Sequence, residues 1–182
     1  MKKGNICIVV MIMLFCTSCY YQQGYVQRDA LHAKSRLAAV LPLTNLTSYP
    51  YAGRIVGDIL TTSLYAQGGF RIMERTDMLA KLNPENEDLD TVMDRAVALQ
   101  VGKDLGVNTV IFGSVTEFRY KRGLDEDPAV GINLSMLDVE TNEIIWTGSR
   151  AETGGCFWFC EDSLTRLAQK VCRDLVATIN VK

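Results

Sequence analysis

The sequence predicts an α/β fold in which helices cover a mixed β-sheet. Three observations support this prediction. Apolar residues recur at helical spacing in three segments, short β-prone runs lie between them, and two alternating runs form a hairpin in the second half of the chain. The predicted order is strand, helix, strand, helix, helix, strand, strand, strand, helix, which favours a sheet with both parallel and antiparallel pairs.

In the first half of the domain, apolar runs and the turn or glycine residues that end them predict the helices and strands. The run RLAAVLPL is short, apolar and closed by the turn-like TNLTSYP, which is typical of a buried strand. The next apolar residues recur at spacings of three and four until Gly68-Gly69, which ends the pattern as a helix C-cap does. The predicted elements here are a strand at 36–43, a helix from 52, a strand at 70–74, a short helix at 77–82 and a helix at 91–105 that Gly106 stops.

The second half reads as three strands and a helix. Residues 109–118 are strongly β-prone, and Gly113 indicates a bulge or a close backbone approach. Residues 129–140 alternate apolar and polar, and the tight turn Thr141-Asn142 leads into a strand at 143–151. Residues 162–179 form the longest amphipathic helix.

The N-terminus has the pattern of a bacterial lipoprotein signal. Lys2 and Lys3 precede a short apolar run, and small residues stand directly before Cys19. We therefore expect cleavage after residue 18 and acyl chains on Cys19, with an ordinary secretory cleavage nearby as the alternative. The run is roughly half as long as the ~20 residues of a spanning helix. Bacterial lipoproteins that stay in the inner membrane usually carry Asp after the lipidated cysteine, so the resemblance, with Tyr20 at that position, implies the periplasmic face of the outer membrane. The predicted organisation is a signal at 1–18, the lipidated cysteine and a polar tether at 19–35, and a domain at 36–182.

Composition and charge exclude several function classes. The formal net charge is −2, and removal of Lys2 and Lys3 makes it −4, so a nucleic-acid partner is not expected. The single histidine, His32, lies in the tether, so the domain holds neither a Ser/His nor a Cys/His pair. No phosphate-binding loop is present, and the acidic runs at 85–90 and 125–127 read as solvated loops. The prediction is a non-enzyme without metal or cofactor, apart from the lipid on Cys19.

The segment GGCFWFC is the one local feature that a plain domain does not need. Cys172 falls on the apolar stripe of the last helix, so Cys156 and Cys160 remain as the local disulfide pair. Phe157, Trp158 and Phe159 lie between them. Their rings either pack under the last helix or form an exposed knuckle, with Trp158 at its tip, that enters lipid headgroups or a partner's groove.

Two tyrosines after the first strand leave the same choice open. Tyr49 and Tyr51 are either packing rings or part of an interaction loop.

The order and spacing of several segments resemble the CsgG-like superfamily of bacterial outer-membrane lipoproteins. The segments are AAVLPLTNLT at 38–47, GDILTTSL at 57–64, FRIMERTDM at 70–78, LGVNTVIFGSVTEF at 105–118 and LSMLDVETNEIIWTGS at 134–149. The resemblance implies a fold related to the anticodon-binding-like domain. It also implies side-by-side packing into rings at the outer membrane.

Compact members of that superfamily supply two expected functions. The first is a ring-forming accessory of exopolysaccharide export, similar to PelC. In this chain the acidic surface expected to face a cationic polymer includes Asp125, Glu126 and Asp127. The alternative is an activator of a periplasmic enzyme such as a peptidoglycan synthase, similar to LpoB. A lipoprotein that binds another envelope component is the third class. The implied partners are outer-membrane lipid, further copies of the chain, and export or cell-wall proteins.

Overall fold

The computed structural model describes residues 22–26, 36–82, 94–120, 127–154 and 163–179. Within these ranges the strands are β1 (Gln22–Val26), β2 (Leu37–Val40), β3 (Thr44–Asn45), β4 (Arg71–Ile72), β5 (Thr109–Tyr120), β6 (Pro128–Asp138) and β7 (Glu143–Thr153). The helices are α1 (Ala52–Gln67), α2 (Arg75–Lys81), α3 (Arg95–Leu105) and α4 (Leu164–Val176). The predicted order of elements is confirmed, and β1 and β3 are additions to it. The prediction that the last helix is the longest was wrong, since α4 has 13 residues and α1 has 16.

The described strands form one mixed sheet, as predicted. Its order is β1-β7-β6-β5-β2-β4, and β3 pairs with β5 beyond the end of β2. β2 runs parallel to both β4 and β5, and β3 runs parallel to β5, whereas the pairs β5–β6, β6–β7 and β7–β1 are antiparallel. The sheet is therefore parallel on the side where helices connect the strands and antiparallel where short turns do.

Gly113 permits the close pairing of β5 with β6. A Cβ atom at this position would lie 2.0 Å from the backbone oxygen of Asn133. The predicted close approach is thus present at Gly113, and the register shift of β5 occurs further on, between Val115 and Glu117.

The larger core lies between the sheet and helices α1 and α4. Trp146 is fully buried at its centre, and its indole Nε1 donates a hydrogen bond to Thr178 Oγ1 at 3.1 Å. Gly148 leaves room for that indole, since a Cβ there would lie 2.6 Å from the ring. The helices contribute Val56, Leu60, Leu64, Leu167, Val171, Cys172 and Leu175. The apolar stripes read from the sequence are the faces that these helices bury.

The second core is smaller and covers only part of the opposite face. Helices α2 and α3 pack there against β2, the first half of β5 and Leu137 of β6, and Gly102 brings α3 close to Val110 and Val139. On β6 and β7 the same face carries Asn133, Thr147 and Ser149, all exposed. This part of the sheet is open to solvent. No helix among the described residues is long and apolar enough to cross a membrane.

Candidate functional site

One end of the sheet gathers the surface loops that the sequence singled out. At this end β5 stops at Tyr120, β6 starts at Pro128 and β7 stops at Thr153, because Tyr120 pairs with Pro128 and Ala129 pairs with Thr153. We call it the loop end. Helix α4 also begins here, since the backbone N–H of Leu164 donates to the hydroxyl of Tyr120 at 3.4 Å.

Residues 46–51, which we call the tyrosine loop, rise from β3 at the loop end. Asn45 organises the loop: its Oδ1 accepts from the Thr47 backbone N–H at 3.0 Å and from the Thr47 hydroxyl at 2.8 Å. Its Nδ2 donates to the Tyr49 carbonyl at 2.9 Å, and the Tyr49 N–H donates to Thr47 Oγ1 at 3.1 Å. These side-chain bonds replace the sheet ladder that ends at β3, so the loop has a defined shape.

The tyrosine loop displays apolar surface. Leu46 is 62%, Tyr49 41% and Tyr51 66% exposed. Tyr49 also contacts the buried Phe118 edge to face, with 5.0 Å between ring centroids. Large exposed apolar side chains held together in this way are typical of an interaction surface.

Tyr51 occupies a backbone conformation that favours glycine. Its φ is 61°, in the left-handed region, and it stands immediately before the first residue of α1. The Arg54 guanidinium lies 4.8 Å from the centroid of its ring. Tyr51 thus combines a strained backbone with a side chain that is two-thirds exposed, and strained residues cluster at functional sites. Tyr49 combines packing with exposure, and the role of the two tyrosines in an interaction loop stays a prediction.

The predicted aromatic knuckle connects to the same end. Cys156, Phe157, Trp158, Phe159 and Cys160 lie outside the described residues, so the structure tests neither their exposure nor the disulfide. The residues that flank this stretch are described: Gly154 follows β7, and Ser163 caps α4 by accepting from the Arg166 N–H at 3.2 Å. Both belong to the loop end.

Strand β1 starts towards the loop end as well. It is antiparallel to β7, with Gln22 opposite Arg150 and Val26 opposite Trp146. The predicted lipidation residue, Cys19, lies outside the described residues, three positions before Gln22 in the chain. The sequence signal for β1 is weak because QQGYV is mostly polar and contains glycine.

The described residues contain no cluster of three or more metal-ligating side chains. Cys172 is fully buried, as predicted from its place on the apolar stripe of the last helix, and burial raises the pKa of its thiol to about 12. Of the three acidic residues predicted to face a cationic polymer, Asp127 is described and half-buried, and Asp125 and Glu126 lie outside the described residues.

Sequence reasoning missed four contributors to the loop end: Leu46, Arg54, Phe118 and Tyr120. Leu46 offered a signal, since it is an apolar residue inside a polar turn. The others depend on which loops meet in space, and a single sequence does not specify that.

Comparisons with known proteins agree with this architecture. A family model described as the peptidoglycan-synthase activator LpoB matches residues 16–151. A search of curated protein sequences finds no match. The broader CsgG-like resemblance stays a prediction.

Solved structures with the same fold belong to envelope proteins of different kinds. A PelC dodecamer from Paraburkholderia phytofirmans is 22% identical, with a TM-score of 0.66 over 89% of this chain and 98% of that one. The LpoB C-terminal domain from Salmonella enterica is 21% identical, with a TM-score of 0.51 over 68% of this chain and 86% of that one. Lipoprotein GNA1162 from Neisseria meningitidis is 17% identical, with a TM-score of 0.57 over 79% and 97%. At these identities the likeness shows the fold alone.

Proposed function

The chain belongs to the family of the peptidoglycan-synthase activator LpoB, and from this premise we propose that it is a non-catalytic lipoprotein that stands with its loop end on the outer membrane. In this proposal Cys19 carries the lipid, and several copies form a ring that serves as an accessory of exopolysaccharide export.

The position of β1 is the observation that carries the proposal. Cys19 lies three positions before Gln22, with only Tyr20 and Tyr21 between them, and such a stretch spans at most about 10 Å. Because β1 starts towards the loop end, a lipid on Cys19 would hold that end against the bilayer surface.

The exposed side chains of the tyrosine loop suit that position. Tyrosine combines an apolar ring with a polar hydroxyl and is enriched where lipid meets water. Arg54, beside the ring of Tyr51, adds a cation that can pair with lipid phosphate. The flanks of the GGCFWFC segment lie at the same end, so Trp158 and its neighbours would join this surface.

The ring is supported by the extent of the likeness to PelC, which covers 98% of a chain that forms a dodecamer. The short stretch between Cys19 and β1 also suits a ring that lies at the membrane surface. A closed ring requires a heterologous interface between identical subunits.

A second candidate function is activation of a peptidoglycan synthase, and the family match favours it. That role would require the domain to reach an enzyme away from the lipid anchor. With β1 docked, the stretch between Cys19 and the sheet is too short for such a reach. With β1 released and the whole 19–35 segment extended, this stretch spans about 60 Å.

The deciding experiment is the native mass of the lipidated protein in mild detergent. A single closed oligomer would support the export ring. A monomer would overturn it and favour the activator. Mass spectrometry of the N-terminal peptide, measured on the same sample, establishes whether Cys19 carries acyl chains.

A further inference from the structure

The outer edge of β7 is occupied by β1, which comes from the segment that the sequence predicted to be a polar tether. β1 pairs with β7 alone and is the terminal strand of the sheet. It belongs to the segment between the predicted lipid anchor and β2. The structure therefore presents β1 as a short peptide seated on an edge.

Such a strand is held weakly compared with the rest of the sheet. β1 has five residues and one neighbour, whereas β6 and β7 pair over most of their eleven residues and pack beneath α4. Its sequence, QQGYV, includes glutamine and glycine, which do not favour strands. Terminal edge strands of this kind are among the first elements of a protein to open.

The edge beneath β1 has a specific shape. Gly24 lies directly opposite Gly148, and opposed residues share a face of the sheet. On the α4 side of Gly148 the space is filled by the Trp146 indole, which a Cβ at position 148 would approach to 2.6 Å, and by Leu175 at 3.1 Å. Gly24 and Gly148 form the one β1–β7 pair in which both residues are glycine, and we expect a larger residue opposite Gly148 to meet the indole that covers this position.

We propose that the β7 edge is a strand-binding site, that β1 occupies it as a displaceable internal ligand, and that its external ligand is an extended segment of a partner protein with glycine at the position facing Gly148. When β1 leaves, the backbone N–H and C=O groups along the edge of β7 lose their partners and can pair with another strand. The class of ligand follows from β1 itself, which is such a segment.

Displacement would also change the reach of the domain. With β1 docked, only Tyr20 and Tyr21 separate Cys19 from the sheet. With β1 released, the 17 positions from Cys19 to Arg36 span up to about 60 Å. This consequence rests on the proposed lipidation of Cys19, whereas the strand-binding site does not.

A labelled peptide with the sequence of residues 21–27, YQQGYVQ, tests the site by fluorescence anisotropy. The first receptor is the full chain with Gly24→Leu, in which β1 is expected to release the edge without any deletion. The second is a chain lacking residues 20–26. The third carries Gln23→Cys with Ser149→Cys, an opposed pair on the open face, in a background with Cys156→Ser and Cys160→Ser. The thiol of Cys172 is buried and does not compete.

We expect both vacated receptors to bind the peptide and the oxidised double-cysteine receptor to exclude it until reductant is added. A peptide with leucine in place of its glycine should bind about tenfold more weakly or worse. If neither vacated receptor binds, if the locked receptor binds equally well, or if both peptides bind alike, the proposal is wrong. The native mass of the protein does not enter this titration, so the ring and the strand site can fail separately.

Discussion

Arg150 of β7 forms an ion pair with Asp174 of α4, with 2.7 Å between Nη2 and Oδ2, although the arginine side chain is only 2% exposed. Glu152 lies 3.2 Å from the same guanidinium, and Lys170 contacts both carboxylates. Two cations and two anions thus connect β7, the strand that pairs with β1, to helix α4. A buried arginine is tolerated here because its charge is matched.

Replacing Asp174 with Asn should reveal how much the protein depends on this pairing. Arg150 would remain buried with one carboxylate fewer, and we expect the free energy of unfolding to fall by about 2 kcal/mol. Urea denaturation at pH 7 measures the change. Asp104→Asn on α3 is the control, since Asp104 is exposed and accepts from Gln100, and it should change stability by less than about 0.5 kcal/mol. Equal effects of the two variants would contradict the prediction.

Tyr51→Ser should weaken the affinity of the loop end for membranes. In a chain with Cys19→Ser, binding to vesicles of phosphatidylethanolamine and phosphatidylglycerol should fall about threefold to tenfold, because an exposed ring is lost. Tyr65→Ser is a matched control: Tyr65 is also exposed on α1, but it lies near the end of the helix remote from the tyrosine loop. If both variants bind vesicles alike, the loop end is not the membrane-facing surface.

Trp158→Ala should loosen membrane association and leave folding intact if the GGCFWFC segment forms an exposed knuckle. The same vesicle assay measures the first effect, and thermal unfolding measures the second. A fall in Tm with unchanged vesicle binding would show instead that the ring belongs to the core.

The acid limit of stability should depend on Asp138. Burial disfavours its charge, but hydrogen bonds from Arg36 and from the backbone of Thr141 and Glu140, with the charge of Arg36, outweigh this effect and lower the pKa of Asp138. A lowered folded-state pKa contributes stability that is complete above the unfolded value of about 3.9 and is lost as pH falls through the folded value.

Asp138→Asn removes that contribution. We expect its unfolding free energy to decrease by about 2 kcal/mol at pH 7, and the gap to the unmodified chain to close below about pH 4. Urea titrations between about pH 7 and 2 measure both values, with Asp104→Asn again as the control. A gap that persists at the lowest pH would mean that the Asp138 charge is not its cause.

Two glycine substitutions should have opposite signs. Gly113→Ala places a Cβ 2.0 Å from the Asn133 carbonyl oxygen and should destabilise by about 3 kcal/mol or more. Gly57 lies in α1, and a Cβ there meets no atom within 4 Å, so Gly57→Ala should stabilise by up to about 1 kcal/mol. Urea denaturation of both variants measures this, and a neutral Gly113→Ala would contradict the close strand approach.

Much of the fold follows from local patterns. The stripes of α1, α3 and α4 and the alternation in β6 are each visible within about 18 residues, because the period of a buried face is a local property. The turn at Thr141-Asn142 is equally local, and Asn142 adopts the left-handed conformation that such turns use.

The candidate site is a different matter. Tyr49 and Tyr51 could be singled out as aromatic residues in a turn, but the choice between packing and exposure depended on Phe118, which lies about 70 positions away in the chain and receives only one of the two rings. Likewise, the sequence identified the segment with Trp158 as unusual but did not indicate that the described residues on either side of it, Gly154 and Ser163, lie at the same end of the sheet as the tyrosine loop.

The sequence by itself determined the class of fold, the order of its elements and the absence of a histidine-based catalytic site in the domain. Only the tertiary structure decided that residues 22–26 are a strand and that the start of this strand, the tyrosine loop and the flanks of the aromatic segment share one end of the sheet. The reason is physical. Side-chain periodicity is recorded in neighbouring residues, whereas β1 owes its conformation to the unpaired backbone edge of β7, more than 100 positions away.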